Sequence, residues 1–170
     1  MNNMASIISS HNRAIPKPPQ LEYGCNCRTK TLCPLENKCL TPKIIYEAEV
    51  TNNQNDEERI YIGLAETSFK DRFRNHTKAF NHKKYQKDTE LSKYVWNLKD
   101  QNKTPVITWR ILKRINSKPA AHFCTLCLSE KLLIIKSLEN EKVLNKKSEL
   151  ISNCRHQNKN MLNNVKDSKD

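Results

Sequence analysis

The sequence predicts an α+β fold in which three short strands alternate with helices. Three observations carry that expectation. Segment 43–50 alternates its side chains between two faces, and with RIYIGL (59–64) across a polar loop it reads as a hairpin. Residues 68–80 and 89–100 place apolar residues at helical spacing, and a third alternating segment, VITWRIL, follows them. Residues 124–138 are the most apolar stretch and read as a further helix.

Residues 1–20 are polar apart from Ile7 and Ile8, with Pro16, Pro18 and Pro19 close behind. A short helix and a proline-stiffened linker are expected, as at the end of an upstream domain. Residues 21–42, LEYGCNCRTKTLCPLENKCLTP, hold four cysteines with no regular period. No secretory signal opens the chain, so a reducing compartment is expected and paired cysteines read as metal ligands before disulfides. Cys25, Cys27, Cys33 and Cys39 form one group, a small zinc knuckle, although Cys25-x-Cys27 is tighter than the usual spacing. Cys124, Cys127 and Cys154 form a second group, and His156 brings the total to eight ligands, enough for two tetrahedral zinc ions. His76, His82 and His122 compete as histidine ligands.

In KIIYEAEV, Ile44, Tyr46, Ala48 and Val50 face one way and Ile45, Glu47 and Glu49 the other, which predicts a strand with one buried face. After the loop TNNQNDEE, RIYIGL completes the hairpin, bringing Tyr46 near Tyr61, and a turn is expected at Gly63. Ser68 is placed to cap the next helix. On that helix Phe69, Phe73 and Phe80 share a stripe with His76 at its centre and Arg72 at its edge, while Asp71, Arg74 and Lys78 point away. A snorkelling arginine and a core histidine bonded to a carbonyl are the bland alternative. Tyr, Arg and His on one surface suit a phosphate.

Between Lys70 and Asp88 seven Lys and Arg face two acids, the densest basic surface of the chain. Lys70, Arg74, Lys78, Lys83 and Lys84 are its candidate DNA-backbone contacts, with a solvated helix end as the alternative for the last two. In TELSKYVWNLKD, Leu91, Val95 and Leu98 share one face and Trp96 is expected outside. Asn102 to Pro105 breaks the helix, and Ile107, Trp109 and Ile111 then share one side of the third strand. In the helix 124–138, Leu128, Leu132 and Ile135 make the main stripe, and burial nearly all round is expected. Glu130 sits among these apolar residues and needs a partner, either a divalent cation or a base such as Lys131. The tail after residue 162 has few core-forming residues and is expected to be flexible.

The whole chain of 170 residues carries a formal charge of +12, which predicts a polyanionic partner such as nucleic acid. Two glycines exclude a Gly-rich phosphate loop, and no apolar run approaches the ~20 residues of a membrane span.

Ile44-Ile45-Tyr46, then Tyr61-Ile62-Gly63, then an Arg and a His one helical turn apart, resemble the ordered motifs of the GIY-YIG endonucleases. The wider string, CNCRTKTLCPLENKC, TELSKYVWNLKD, CTLCLSEK and SELISNCRH, is similar to the endonuclease domain of Penelope-like retroelements, over roughly residues 23–160. The resemblance implies a small three-stranded antiparallel sheet flanked by helices, with zinc-stabilised additions. It divides the chain into a linker (1–22), a cysteine-rich segment (23–42), a nuclease domain (43–157) and a tail (158–170). It further implies Mg²⁺- or Mn²⁺-dependent phosphodiester hydrolysis. Tyr46 would activate water, Tyr61 position water or phosphate, Arg72 stabilise phosphate charge, and His76 relay the proton. Glu130 would hold the Mg²⁺, and Asn145, fifteen residues on, would order the site. Ile44 stands where the family has its name-giving glycine. The setting implied is a nuclear one, in which a nick supplies the 3′ hydroxyl for target-primed reverse transcription of element RNA by an upstream reverse transcriptase.

A tyrosine ordinarily titrates near 10, so a base role needs Arg72, Lys70 or a Glu130-bound ion to lower it. The competing class is a zinc-stabilised nucleic-acid-binding module without catalysis, or a decayed nuclease.

Overall fold

The first strand of the chain is the central strand of the sheet. In this computed structural model, which describes residues 24–52, 58–116, 124–151 and 154, β1 (Ile44–Asn52) lies between β2 (Arg59–Ala65) and β3 (Pro105–Arg114). Both pairings are antiparallel, so the protein is α+β with a three-stranded antiparallel sheet. The expected helix and linker of 1–22, most of the hairpin loop, His122, His156 and the tail 158–170 lie outside the described residues. No helix among the described residues is long and apolar enough to cross a membrane.

One face of the sheet packs α1 (Phe69–Asn81) and α2 (Glu90–Asp100). Ile44, Tyr46, Ala48 and Val50 from β1 meet Phe69, Leu91, Val95 and Leu98 there. Ile107, Trp109 and Ile111 of β3 join the same core, as their alternation predicts. The opposite face packs α3 (Thr125–Ser137), through Ile45, Ile62, Ile115, Leu126 and Ile134. β1 therefore has two buried faces, where one was expected. A central strand between two helical layers leaves no solvent side, so Ile45 is fully buried and Glu47 nearly so, paired with Arg110 across the sheet.

Local chemistry sets the helix starts. Ser68 accepts from the Asp71 amide at 3.2 Å, and Thr89 and Ser92 form a reciprocal capping box at the head of α2. α2 ends where Asn102 takes a left-handed φ of 58°. Trp96, expected outside, is half-buried, and its indole N–H donates to the Ala79 carbonyl at 2.9 Å, tying α2 to α1. The cysteine-rich segment has little regular structure beyond a 3-10 turn at Lys30–Leu32. It docks on the start of α1, where the amides of Phe69 and Lys70 donate to the carbonyls of Thr41 and Cys39.

α3 corrects a second expectation. Leu128, Leu132 and Ile135, read as the buried stripe, are each about half exposed (46%, 49% and 50%), while Leu126, Ser129 and Ile134 face the sheet. An outer-layer helix can bury only one side. With apolar residues all round α3, its sequence does not encode which side that is.

Candidate phosphate-handling site and cysteine centres

The site forms where β1 passes β2. Their register sets Tyr46 opposite Gly63, and Gly63 is what lets the phenol lie across the strand. A Cβ there would collide with the Tyr46 hydroxyl and come within 2.7 Å of its Cζ. No turn forms at Gly63: β2 continues to Ala65, and the glycine has an ordinary negative φ. Its function is close approach, which a strand reading alone does not disclose.

Lying over Gly63, the Tyr46 hydroxyl reaches α1. It lies 2.7 Å from His76 Nε2 and accepts from Arg72 Nε at 3.0 Å. His76 is bonded to this phenol, where a carbonyl partner was the bland alternative. Tyr61 packs edge-on to the same imidazole, with ring centroids 6.2 Å apart. The two strand tyrosines, Arg72 and His76 thus converge as the helix stripe predicted.

Electrostatics qualifies the roles. Burial lowers the His76 pKa to about 3, helped by the Arg72 charge, so the imidazole is neutral. Burial also raises the Tyr46 pKa, and Arg72 offsets this only in part. Tyr61 is pushed well above its usual range, again by burial first. Lys70, expected to help lower Tyr46, instead reaches back to the cysteine-rich segment and donates to Asn26 Oδ1 at 2.6 Å. Arg72 is therefore the cation in contact with the phenol.

Glu130 approaches this group from α3, on the other side of the sheet. Burial raises its carboxyl to about 7, while Arg72, Lys131 and the Leu64 backbone pull the other way. A half-buried carboxylate that is hard to ionise alone needs a positive partner, and Arg72 and Lys131 are the cations that act on it. Glu149, not foreseen from sequence, acts on Glu130, Tyr46 and Tyr61 by its charge. Only its position beside Asn145 reveals it. Asn145 Oδ1 accepts from the Ile62 amide at 2.8 Å, and Nδ2 donates to the Ile62 carbonyl at 2.9 Å and to Glu149 at 2.7 Å. The buried amide so completes the free edge of β2 one residue before Gly63, supported by Leu144 N–H on the Ile60 carbonyl.

The two cysteine groups also assemble. The sulfurs of Cys25, Cys27, Cys33 and Cys39 all lie within 4.8 Å of one another, and so do those of Cys124, Cys127 and Cys154. Tetrahedral zinc with ~2.3 Å bonds spaces its sulfurs by about 3.8 Å. Cys27 to Cys39 at 3.6 Å and Cys127 to Cys154 at 3.4 Å match that spacing, and no disulfide joins any of the seven. Both clusters could hold zinc. Cys33 is held down at about 7, against burial, by the backbone groups of Leu35 and Asn37, and is thus poised as a thiolate ligand. The second cluster brings three sulfurs together, with His156 outside the described residues. His76 is committed to Tyr46, and exposed His82 ends α1, so neither joins a cysteine cluster.

Of the candidate DNA contacts, Lys78 and Lys84 lie over the Tyr85 ring at 4.6 and 4.9 Å. Lys83 pairs with Asp100 and Arg74 with Asp71, both on the surface. Such exposed pairs contribute little to stability. No protein-family model, curated protein or solved structure matches the chain.

Proposed function

We propose that this chain is a metal-dependent DNA endonuclease of the GIY-YIG kind, nicking one strand at a time. The observation that carries the reading is the buried Tyr46 phenol held between Arg72 and neutral His76, with the Glu130 carboxylate facing the same arginine.

In this reading a water oxygen bonds to phosphorus as the bond from phosphorus to the 3′ oxygen breaks. The water proton passes to Tyr46 Oη while the phenol proton passes to His76 Nε2, which is unprotonated and, with a pKa lowered to about 3, holds that proton only in transit. Arg72 already donates to Oη and would also stabilise charge gathering on the phosphate. Tyr61 positions the water or the phosphate, and Asn145 holds the β2 edge that carries Gly63. Glu130 would hold Mg²⁺ or Mn²⁺, and the bound ion would polarise the phosphate and stabilise the leaving oxygen. The leaving 3′ oxygen takes a proton from solvent and His76 returns its own to solvent, so the products are a 5′ phosphate and a 3′ hydroxyl. In the retroelement setting that hydroxyl would prime reverse transcription in the nucleus, by an upstream reverse transcriptase acting on element RNA. Lys78, Lys84, Lys83, Lys70 and Arg74 would carry the DNA backbone.

A second reading, a zinc-stabilised binding module or decayed nuclease, is favoured by one observation: the Tyr46 side chain is fully buried and its pKa is raised. Nicking of supercoiled plasmid separates the two. With Mg²⁺, the wild type is expected to nick, and Glu130→Ala and Tyr46→Phe to bind DNA while losing at least 10²-fold in rate. Equal binding by all three with no cutting in Mg²⁺ or Mn²⁺ would leave the binding module.

A further inference from the structure

An open cleft of about 310 Å³ lies between α1, β3 and the cysteine-rich segment, lined by Phe73, Thr77, Phe80, Ile107, Trp109 and Leu32. Three of these are aromatic, and none has a role in the chemistry above. The cleft nevertheless shares walls with the site. Phe80 stacks on His76 with ring centroids 5.8 Å apart and planes 19° apart. Trp109 packs against His76 at 5.3 Å and Tyr46 at 5.8 Å. A planar ring entering the cleft would extend a stack that already ends at the imidazole.

We propose that this cleft receives an unpaired nucleobase of the strand whose phosphate lies at Arg72 and Tyr46. The proposal rests on the nucleic-acid reading above. Charge favours this occupant over an apolar peptide. Lys70 and Arg74 stand on the adjoining flank of α1, and the chain carries +12 overall, which would draw a polyanion along the cleft's edge. The large, 78% exposed side chain of Leu32 at the rim offers an apolar cover for a flat ring. The lining side chains supply one hydroxyl, already donating to the Phe73 carbonyl at 2.9 Å, and one indole N–H. That is too little to read base edges, so the base is held by stacking and any base is accepted.

The test is fluorescence anisotropy of the full chain with Ca²⁺ in place of Mg²⁺, using a short oligothymidylate and an abasic oligomer of the same length and charge. The thymidylate is expected to bind about tenfold more tightly, the size of one base–aromatic stack. Thr77→Phe, which fills the cleft, and Leu32→Ser, at an exposed position that folding tolerates, should each bring the ratio near one while affinity for the abasic strand holds. Equal wild-type affinity for the two oligomers overturns the cleft assignment even if the protein nicks plasmid. A ratio unchanged in both variants, with their circular dichroism intact, overturns it too. A tenfold ratio that both variants lose, in a protein that never nicks, supports the cleft and removes only the catalysis.

Discussion

Gly63 and His76 show how single residues set this site. Gly63 matters for the space above it, since any side chain there meets the Tyr46 ring. Gly63→Ala should cost about 1–3 kcal/mol in urea denaturation, because the phenol must leave its place between Arg72 and His76. Nicking by the same variant should fall with it; a wild-type urea midpoint would show that the phenol has room to move. His76 contributes to the acid side of the stability curve. Its pKa of about 3 in the folded protein lies below the ordinary 6.5, so the unfolded chain takes up the proton first. Stability from this group is therefore intact above about pH 6.5 and lost as pH falls toward 3. His76→Gln should melt lower than wild type at pH 7 yet lose less between pH 7 and pH 4, which thermal melts at both pH values would check. Glu130 acts in the opposite sense. A carboxyl raised to about 7 favours the folded state at low pH and loses that advantage as pH rises from 4.5 through 7.

At the scale of elements, the edge of β2 is latched. Residues 142–145 run beside it, with Ile60 N–H donating to the Lys142 carbonyl and the Asn145 amide closing both polar groups of Ile62. Asn145→Ala would leave the Ile62 amide, its carbonyl and Glu149 without that partner. A loss of about 2–4 kcal/mol is expected, from net hydrogen-bond contributions and the desolvation of buried groups. Amide exchange at Ile62 should rise in step, and an unchanged exchange rate would mean the latch holds nothing. α3 illustrates what element patterning leaves open. Its residues are apolar on every side, so docking on Ile45 and Ile62 selected the Leu126 and Ile134 face and left Leu128, Leu132 and Ile135 half in solvent. The same docking carries Glu130 to Leu64 and Arg72.

The whole molecule joins a thin sheet sandwich to a cysteine segment that has almost no regular structure of its own. Leu35 enters the main core, and Cys39 and Thr41 receive the first amides of α1, so this segment is continuous with the site-bearing helix. Zinc bound at four cysteines would count directly as folding free energy. Chelation of metal from the full chain is expected to abolish the cooperative melt, and Cys39→Ser to do the same without chelator. A melt unchanged after metal analysis shows zinc gone would refute that dependence. Binding to DNA should weaken steeply with salt, and Lys78→Ala or Lys84→Ala should each flatten the logarithmic slope by about 1.

Strand alternation in 43–50, the aromatic stripe of 69–80 and the cysteine spacings are local, and each was legible because a period or a spacing is a property of neighbouring residues. From them came the α+β class, the order of strands and helices, the company of Tyr46, Tyr61, Arg72 and His76, and the first cysteine cluster. What depends on which surfaces meet was not legible. The burial of both faces of β1, the outward face of α3, the Asn26 partner of Lys70, the part of Glu149 and the cleft beside Trp109 were decided by packing of elements far apart in the chain. Burial also reversed the expected electrostatics of Tyr46: sequence places a cation beside the phenol, but removing its hydroxyl from water outweighs that charge.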